Sequence, residues 1–363
     1  MSLQEPYSPE DIEGFLKRFQ LHEALKLIGQ LSQEWFFGKT PATKVIGGTP
    51  VACYVLAYLA MRSIESSNDY RKNVMTVPDM LKAVDMYWGL PDPIEVESGD
   101  SSESCLLRIA FNQFEYNRPI HYLLPRTFAI YRDVWPRVPN TIPVGGVIEQ
   151  ISGLKIEEVL IMAYAFSKRA QGGFFRLYPD SLTTDPRIKD IFTLEKQQSF
   201  VNWMARGYRE FREESKAERK KLPSSYYEKF RFNPLVKYPV IKPDRNPVPG
   251  EPPVYLLPVA RLLLDKVTRG LYFELSDHFQ GPDKINPFRN SFGFVFQEYV
   301  GELLRDAIGK DVVFPERKYG KGNKDSTDWV IACGDRCILV EVKQSGSIST
   351  PSYGATLARS GRA

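Results

Sequence analysis

Two acidic residues and a lysine near the carboxyl end of the sequence have the types and spacing that phosphodiester chemistry needs. In DSTDWVIACGDRCILVEVKQSGS, Asp325 to Ser347, Asp328 precedes one apolar run, and Glu341 and Lys343 end the next. Paired carboxylates suit Mg²⁺ or Mn²⁺, and such a metal activates water and neutralises charge on a phosphate. A lysine beside it stabilises developing negative charge. The pattern therefore predicts a site for hydrolysing phosphodiester bonds.

The two apolar runs are predicted to form a hairpin that brings the carboxylates together. If Gly334-Asp335 is a two-residue turn, glycine in the first position favours type II′. In that register Asp328 lies directly opposite Glu341 on one face, where like charges are destabilising. A bound cation would offset this repulsion. Strand alternation places Lys343 on the same face as Glu341.

An aspartate before one strand and Glu341-Val342-Lys343 at the end of the next resemble the PD-(D/E)xK nuclease superfamily, the restriction-endonuclease-like proteins. The resemblance implies a metal-dependent endonuclease in which Asp328 and Glu341 hold Mg²⁺, or Mn²⁺ in its place. It also implies that the backbone carbonyl of Val342 touches the metal and that Lys343 is the catalytic lysine. Gln344, expected on the opposite face from Lys343, is a weaker catalytic candidate.

The tripeptide alone is not specific, because three other segments fit it: Glu214-Ser215-Lys216, Glu218-Arg219-Lys220 and Glu316-Arg317-Lys318. These are expected to lack both a preceding apolar strand and an aspartate in register, which only Glu341 has. A surface hairpin held by salt bridges is the alternative.

Two further groups upstream are candidates for the same site. NPFRNSFGFVFQEYVGELLRDAI has helical periodicity, and the family often carries an active-site glutamate on its first helix, which makes Glu298 the candidate and Glu302 its competitor. A solvated helix glutamate is an equal alternative. The segment KYGKGNK offers Lys318, Lys321 and Lys324 for nucleic-acid binding, or a solvated loop.

The remaining chain is predicted to be mainly helical up to residue 222. Helix starts are expected at Ser8-Pro9 and Thr49-Pro50, where a cap residue precedes proline. Further helices are expected at 77–87, 106–116, 156–167, 196–220 and 259–272, and strands at KYPVIKP and PVYLLP. No phosphate loop, nucleophile elbow or His-Glu metal helix is present in the sequence.

These patterns predict an α+β protein with a mainly helical region 1–222, a strand-helix connection 223–283 and a nuclease-like α/β domain 284–363. The family's core ends with a further helix and strand, whereas only residues 344–363 follow Lys343. The last domain is therefore expected to be cut short after the catalytic strand, or completed by a partner.

Composition excludes some classes of protein. With 43% hydrophobic residues and a net charge of +4, the chain is globular, and charge alone does not call for nucleic acid. Four cysteines without zinc-site spacing indicate reduced thiols and a cytoplasmic protein. The amino-terminal residues lack a signal pattern, and the longest apolar run, eleven residues from Val51 to Met61, is too short for a bilayer.

The sequence therefore favours a magnesium-dependent nuclease, by analogy a prokaryotic restriction or antiphage effector controlled by its helical region. Its expected partners are nucleic acid, with DNA favoured over RNA, and a protein partner or second copy bound through the helices. The alternatives are a catalytically silent scaffold that keeps the nuclease fold and a helical sensor whose terminal hairpin is incidental.

Overall fold

The computed structural model describes residues 7–36, 43–91, 122–178, 188–222, 225–246, 250–280, 286–319 and 324–343. Within them the protein is mixed helix and strand, which confirms the α+β class. The helices are α1 Pro9–Leu16, α2 Leu21–Ser32, α3 Cys53–Ser66, α4 Val77–Trp88, α5 Leu123–Phe128, α6 Val144–Ser152, α7 Ile156–Arg169, α8 Leu194–Met204, α9 Tyr208–Arg219, α10 Ala260–Asp265, α11 Leu271–His278 and α12 Pro287–Ile308. The strands are β1 Thr43–Ile46, β2 Thr49–Ala52, β3 Phe174–Arg176, β4 Ala205–Gly207, β5 Val240–Lys242, β6 Val254–Leu256, β7 Val313–Pro315, β8 Lys318–Tyr319, β9 Lys324–Asp325, β10 Trp329–Cys333 and β11 Arg336–Val340.

Helices α1 and α4 begin where capping chemistry predicts. At α4 the Thr76 side chain accepts a hydrogen bond from the Asp79 amide, and the Asp79 carboxylate accepts one from the Thr76 backbone. Ser8 and Asp11 form the same capping box at α1. Hydrogen bonds from Thr76 lower the pKa of the Asp79 carboxyl from its ordinary value of 3.8. Each box satisfies amides that the first helical turn leaves unpaired.

Two sequence-based helix boundaries are wrong because strand pairing overrides them. Thr49 does not cap a helix: it pairs with Ile46 across a turn in which Gly47 and Gly48 have φ of +57° and +88°. Helix α3 then begins at Cys53. The helix expected over 196–220 is interrupted at Ala205–Gly207, where β4 pairs in parallel with β5. The helix expected at 106–116 lies outside the described residues.

A four-stranded sheet of order β3-β6-β5-β4 separates two hydrophobic cores. Ile241 and Leu256 belong to the core that α1 to α4 and α9 surround. Val240 and Tyr255, their neighbours along the strands, belong to the core built mainly from α6 to α8 and α10 to α12. Successive strand residues point to opposite faces, so one small sheet serves both cores. Its strands come from both sides of residue 222.

Buried arginines join α1, α3 and the segment 225–231, and Arg62 of α3 donates to the Pro9 carbonyl of α1 at 3.1 Å. The Arg62 guanidinium, fully buried, lies 2.8 Å from Glu228 and 2.9 Å from Glu65. Arg231 lies 2.9 Å from Glu228. Buried charges persist only when they are paired, so these contacts fix how the helices meet.

After α12 the chain forms a three-stranded antiparallel sheet of order β11-β10-β7. The amino-terminal half of α12 buries Phe288, Phe292 and Val295 in the second core. Farther along, Gly301 faces Trp329 so closely that a Cβ at this position would overlap the indole ring. Helix α12 thus connects the second core to the terminal sheet.

No helix in the described ranges is long and apolar enough to cross a membrane. The described cysteines, Cys53, Cys333 and Cys337, are free thiols. Burial raises the pKa of the Cys53 thiol to about 12, which keeps it protonated and unreactive at neutral pH.

Candidate active site

The hairpin of β10 and β11 has the register that the sequence predicts. Cys333 pairs with Arg336, and Trp329 pairs with Val340. Of the two turn residues only Gly334 has a positive φ, +63°, as a type II′ turn requires. Extending this ladder by one residue places Asp328 opposite Glu341.

The backbone carbonyl of Asp328 bonds to the residue after β7, whereas its side chain bonds to the chain after β11. The Glu316 amide donates to the Asp328 carbonyl at 2.9 Å, so Asp328 and Glu341 form a non-hydrogen-bonded pair. In such pairs the Cα atoms are only about 4.5 Å apart and the side chains are closest. The Val342 amide then donates to Oδ2 of Asp328 at 2.6 Å. The Asp328 carboxylate therefore accepts the hydrogen bond that a backbone carbonyl would accept if the β10–β11 ladder continued.

The two faces of β10 differ in burial, whereas β11 is exposed on both. Trp329 and Ile331 are buried, and the Trp329 indole Nε1 donates to the Gln297 carbonyl of α12 at 3.0 Å. By alternation Asp328 points to the opposite face, where it is half-buried, while Glu341 and Lys343 are exposed. The proposed chemistry thus lies on the face away from α12.

The expectation that Glu316 lacks both a preceding apolar strand and an aspartate in register is wrong. An apolar strand, β7, does precede it, and Asp328 is its cross-strand neighbour, because Trp329 pairs with Pro315. Three acids, Glu316, Asp328 and Glu341, therefore stand in a row across three strands. The run VVFP before Glu316 was the available signal.

The row does not converge on one point. The described residues contain no group of three or more His, Cys, Asp and Glu side chains that could hold a metal ion. Mg²⁺, however, is commonly bound through one or two carboxylates, with water and substrate phosphate completing its shell. The oxygen donors of Asp328, Glu341 and the Val342 carbonyl fit that requirement in hardness and number.

The helix glutamates are paired with arginines. Glu298 lies 2.9 Å from Arg305, whose guanidinium stacks 4.5 Å from the centre of the Trp329 ring. Glu302 lies 2.7 Å from Arg137. No hydrogen bond or ion pair in the described part of the chain joins either glutamate to Asp328. A catalytic role for Glu298 stays a prediction.

The lysine-rich segment is partly described. Lys318, which is exposed, begins β8, and its backbone pairs with Asp325 of β9, the strand that also contains Lys324. The paired strands β8 and β9 lie between β7 and β10 along the chain. Lys321 and Gln344 lie outside the described residues.

Comparison with protein-family models, with curated proteins and with solved structures found no match to this chain.

Proposed function

We propose that the chain is a metal-dependent nuclease whose active site is formed by Asp328, Glu341 and Lys343. The observation that carries the proposal is the hairpin register, in which Trp329 pairs with Val340. Continued by one residue, this register opposes Asp328 and Glu341, and strand alternation then puts Lys343 on the same face. DNA is the favoured substrate and Mg²⁺ the favoured metal.

Electrostatics supports a cation at this position. Asp328 and Glu341 form a close cross-strand pair of like charges, an arrangement that destabilises a hairpin. No lysine or arginine among the described residues forms an ion pair with either carboxylate. A like-charge pair without a cationic side chain beside it among the described residues is typical of a functional site.

The residues have distinct parts in this proposal. Mg²⁺ held by Asp328, Glu341 and the Val342 carbonyl would lower the pKa of water and neutralise phosphate charge. The hydrogen bond from the Val342 amide orients Asp328 before any ligand arrives. Lys343 orients the attacking water or stabilises the charge that develops on the phosphate.

The resemblance to PD-(D/E)xK nucleases supports the same proposal. A helix followed by three antiparallel strands, α12, β7, β10 and β11, is the order in which that family's core begins. We extend the proposal to a restriction or antiphage role in which the helical region controls cleavage.

The test is cleavage of plasmid DNA and of RNA with Mg²⁺, Mn²⁺ or EDTA. We expect metal-dependent cleavage that Asp328→Asn and Lys343→Ala each reduce by at least about a hundredfold, as for the loss of one transition-state contact. Asparagine keeps an oxygen acceptor for the Val342 amide, so this variant removes the charge and preserves the hairpin.

Two variants serve as matched controls. Asp335→Asn makes the same change at the exposed turn of the same hairpin, and Lys310→Ala removes an exposed lysine before β7. Both should cleave like the wild type. Full activity in Asp328→Asn would contradict the proposal. A folded protein that neither binds metal nor cleaves would favour the silent scaffold.

A further inference from the structure

A second polar site lies in the amino-terminal part of the molecule, far along the chain from the terminal hairpin. A cavity of about 560 Å³ is bordered by the start of α2, the segment after α3, strands β3 and β6, and the segment after β5. Pockets that hold small ligands have volumes of about 300–1,000 Å³. Its charged and ionisable lining residues are His22, Glu23, Lys26, Asp69, Arg176 and Arg245.

Only one of the two carboxylate oxygens of Asp69 is hydrogen-bonded within the described part of the protein. Its Oδ1 accepts hydrogen bonds from the His22 amide at 2.9 Å and from the Tyr208 hydroxyl at 3.3 Å, and it lies 3.3 Å from the His22 ring Nδ1. Its Oδ2 is buried and has no hydrogen-bond partner among the described residues. The side chain is 8% exposed.

A buried carboxylate oxygen without a hydrogen bond destabilises the folded protein, because no hydrogen bond offsets the loss of its hydration. Less than 1 Å² of Oδ2 is exposed, but Asp69 borders the cavity, so a small rotation of its carboxylate would let a ligand N–H or O–H group donate to this oxygen. This oxygen therefore specifies a hydrogen-bond donor on the ligand.

Three cations specify an anionic group on the same ligand. Lys26 lies 3.0 Å from Glu23, and Arg176 is paired with Glu251. Arg245 is exposed, has no carboxylate partner in the described ranges, and lies 4.4 Å from the centre of the Tyr70 ring. Two of the cations already have acidic partners, so a multiply charged group such as a phosphate gains more here than a single carboxylate.

The cavity also has an apolar wall. Phe174 of β3 and Val254 of β6 line it. Phe174 pairs with Leu256 and Arg176 pairs with Val254, so Phe174 and Val254 are diagonal neighbours on one face of the sheet. Apolar lining with a few fixed polar groups is the usual composition of a small-molecule site.

We propose that this cavity binds a nucleotide. Its phosphates lie against Lys26, Arg176 and Arg245, and an N–H or O–H of its base or ribose donates to Oδ2 of Asp69. The proposal is independent of the nuclease site, because its readout is binding and needs no cleavage.

The experiment is calorimetric titration of the full chain with ATP, GTP, CTP and UTP, alongside the four nucleosides and inorganic tripolyphosphate. We expect at least one triphosphate to bind at least about tenfold more tightly than both its nucleoside and tripolyphosphate, because each charge-assisted hydrogen bond contributes about that factor. Asp69→Asn and Arg245→Ala should each weaken that triphosphate by at least about tenfold.

Arg209→Ala is the matched control, since Arg209 is an exposed arginine of α9 that pairs with Glu213. It should leave the affinity unchanged. Because Asp69 contacts α2 and α9, Asp69→Asn is checked for folding, and the exposed Arg245→Ala decides the outcome if it does not fold. Tripolyphosphate binding as tightly as every nucleotide, no binding at all, or affinity unchanged in Arg245→Ala would overturn the proposal.

Discussion

At the scale of single residues, the pair Asp328 and Glu341 combines an unfavourable interaction with a well-defined position. The Asp328 carboxylate is held by the Val342 amide, whereas Glu341 is exposed. The structure thus keeps one carboxylate in place and brings the second to it through the strand register. Such pre-organisation is what a site for a hard cation needs.

Replacing Glu341 distinguishes the effect of carboxylate repulsion on stability from the effect of metal binding. In EDTA, Glu341→Gln should raise the free energy of unfolding by about 0.2–1 kcal/mol, because it removes a like-charge cross-strand contact. Added Mg²⁺ should stabilise the wild type in proportion to its binding and leave the variant unchanged. Thermal unfolding with and without metal measures both effects.

Asp335→Asn, at the turn, should respond to Mg²⁺ as the wild type does. A clear loss of stability in metal-free Glu341→Gln would contradict the repulsion on which the proposed site depends.

At the scale of elements, the contact between α12 and β10 positions the candidate site. Gly301 lets the Trp329 indole reach the helix backbone, and Asp328 is the residue immediately before Trp329. Helix and hairpin therefore meet with no room for a side chain between them.

Gly301→Ala should destabilise the protein by about 1–3 kcal/mol, the usual cost of overpacking. It should also reduce any cleavage, because moving Trp329 moves Asp328. Gly293→Ala, in the same helix with open space at its Cβ, should instead stabilise by up to about 1 kcal/mol from helix propensity. Urea unfolding of both variants measures the contrast, and equal effects would show that the close approach is absent.

A capping box gives a second element its pH dependence. The pKa of Asp79 is lowered in the folded state, so its contribution is present above the ordinary value of 3.8 and is lost as pH falls through the folded-state pKa. Thr76→Ala should therefore cost about 1 kcal/mol at neutral pH and less in acid.

Thr193→Ala provides the control, since Thr193 caps α8 by accepting from the Lys196 amide without a reciprocal carboxylate. Its cost should be the same at both pH values. Chemical denaturation at neutral pH and below pH 3.8 distinguishes the two caps, and parallel behaviour would refute the role of Asp79.

At the scale of the whole molecule, the terminal sheet is joined to the second core through α12. Phe288 is fully buried and stacks on Trp135 with ring centres 5.6 Å apart. The residues that begin the predicted nuclease-like domain are thus part of a core built mainly from earlier helices.

Phe288→Ala should lower the free energy of unfolding by about 3–5 kcal/mol and shift one cooperative transition. Phe294→Ala, in the same helix but 61% exposed, should change stability by less than about 0.5 kcal/mol. Differential scanning calorimetry shows whether the main transition moves. A shift confined to a small separate transition would mean that the terminal part unfolds independently.

Much of the terminal hairpin was determined by the sequence itself. Its register follows from the two-residue turn Gly334-Asp335 between two apolar runs, which acts between near neighbours. The starts of α1 and α4 follow equally from cap residues within one helical turn.

Only the tertiary structure decided the features that depend on distant residues. Pairing with β5 turns Ala205–Gly207 into a strand inside a helical pattern. The register of β7 brings Glu316 beside Asp328. The cavity assembles His22, Asp69, Arg176 and Arg245 from four separate segments. Such contacts depend on how elements pack, which local periodicity does not encode.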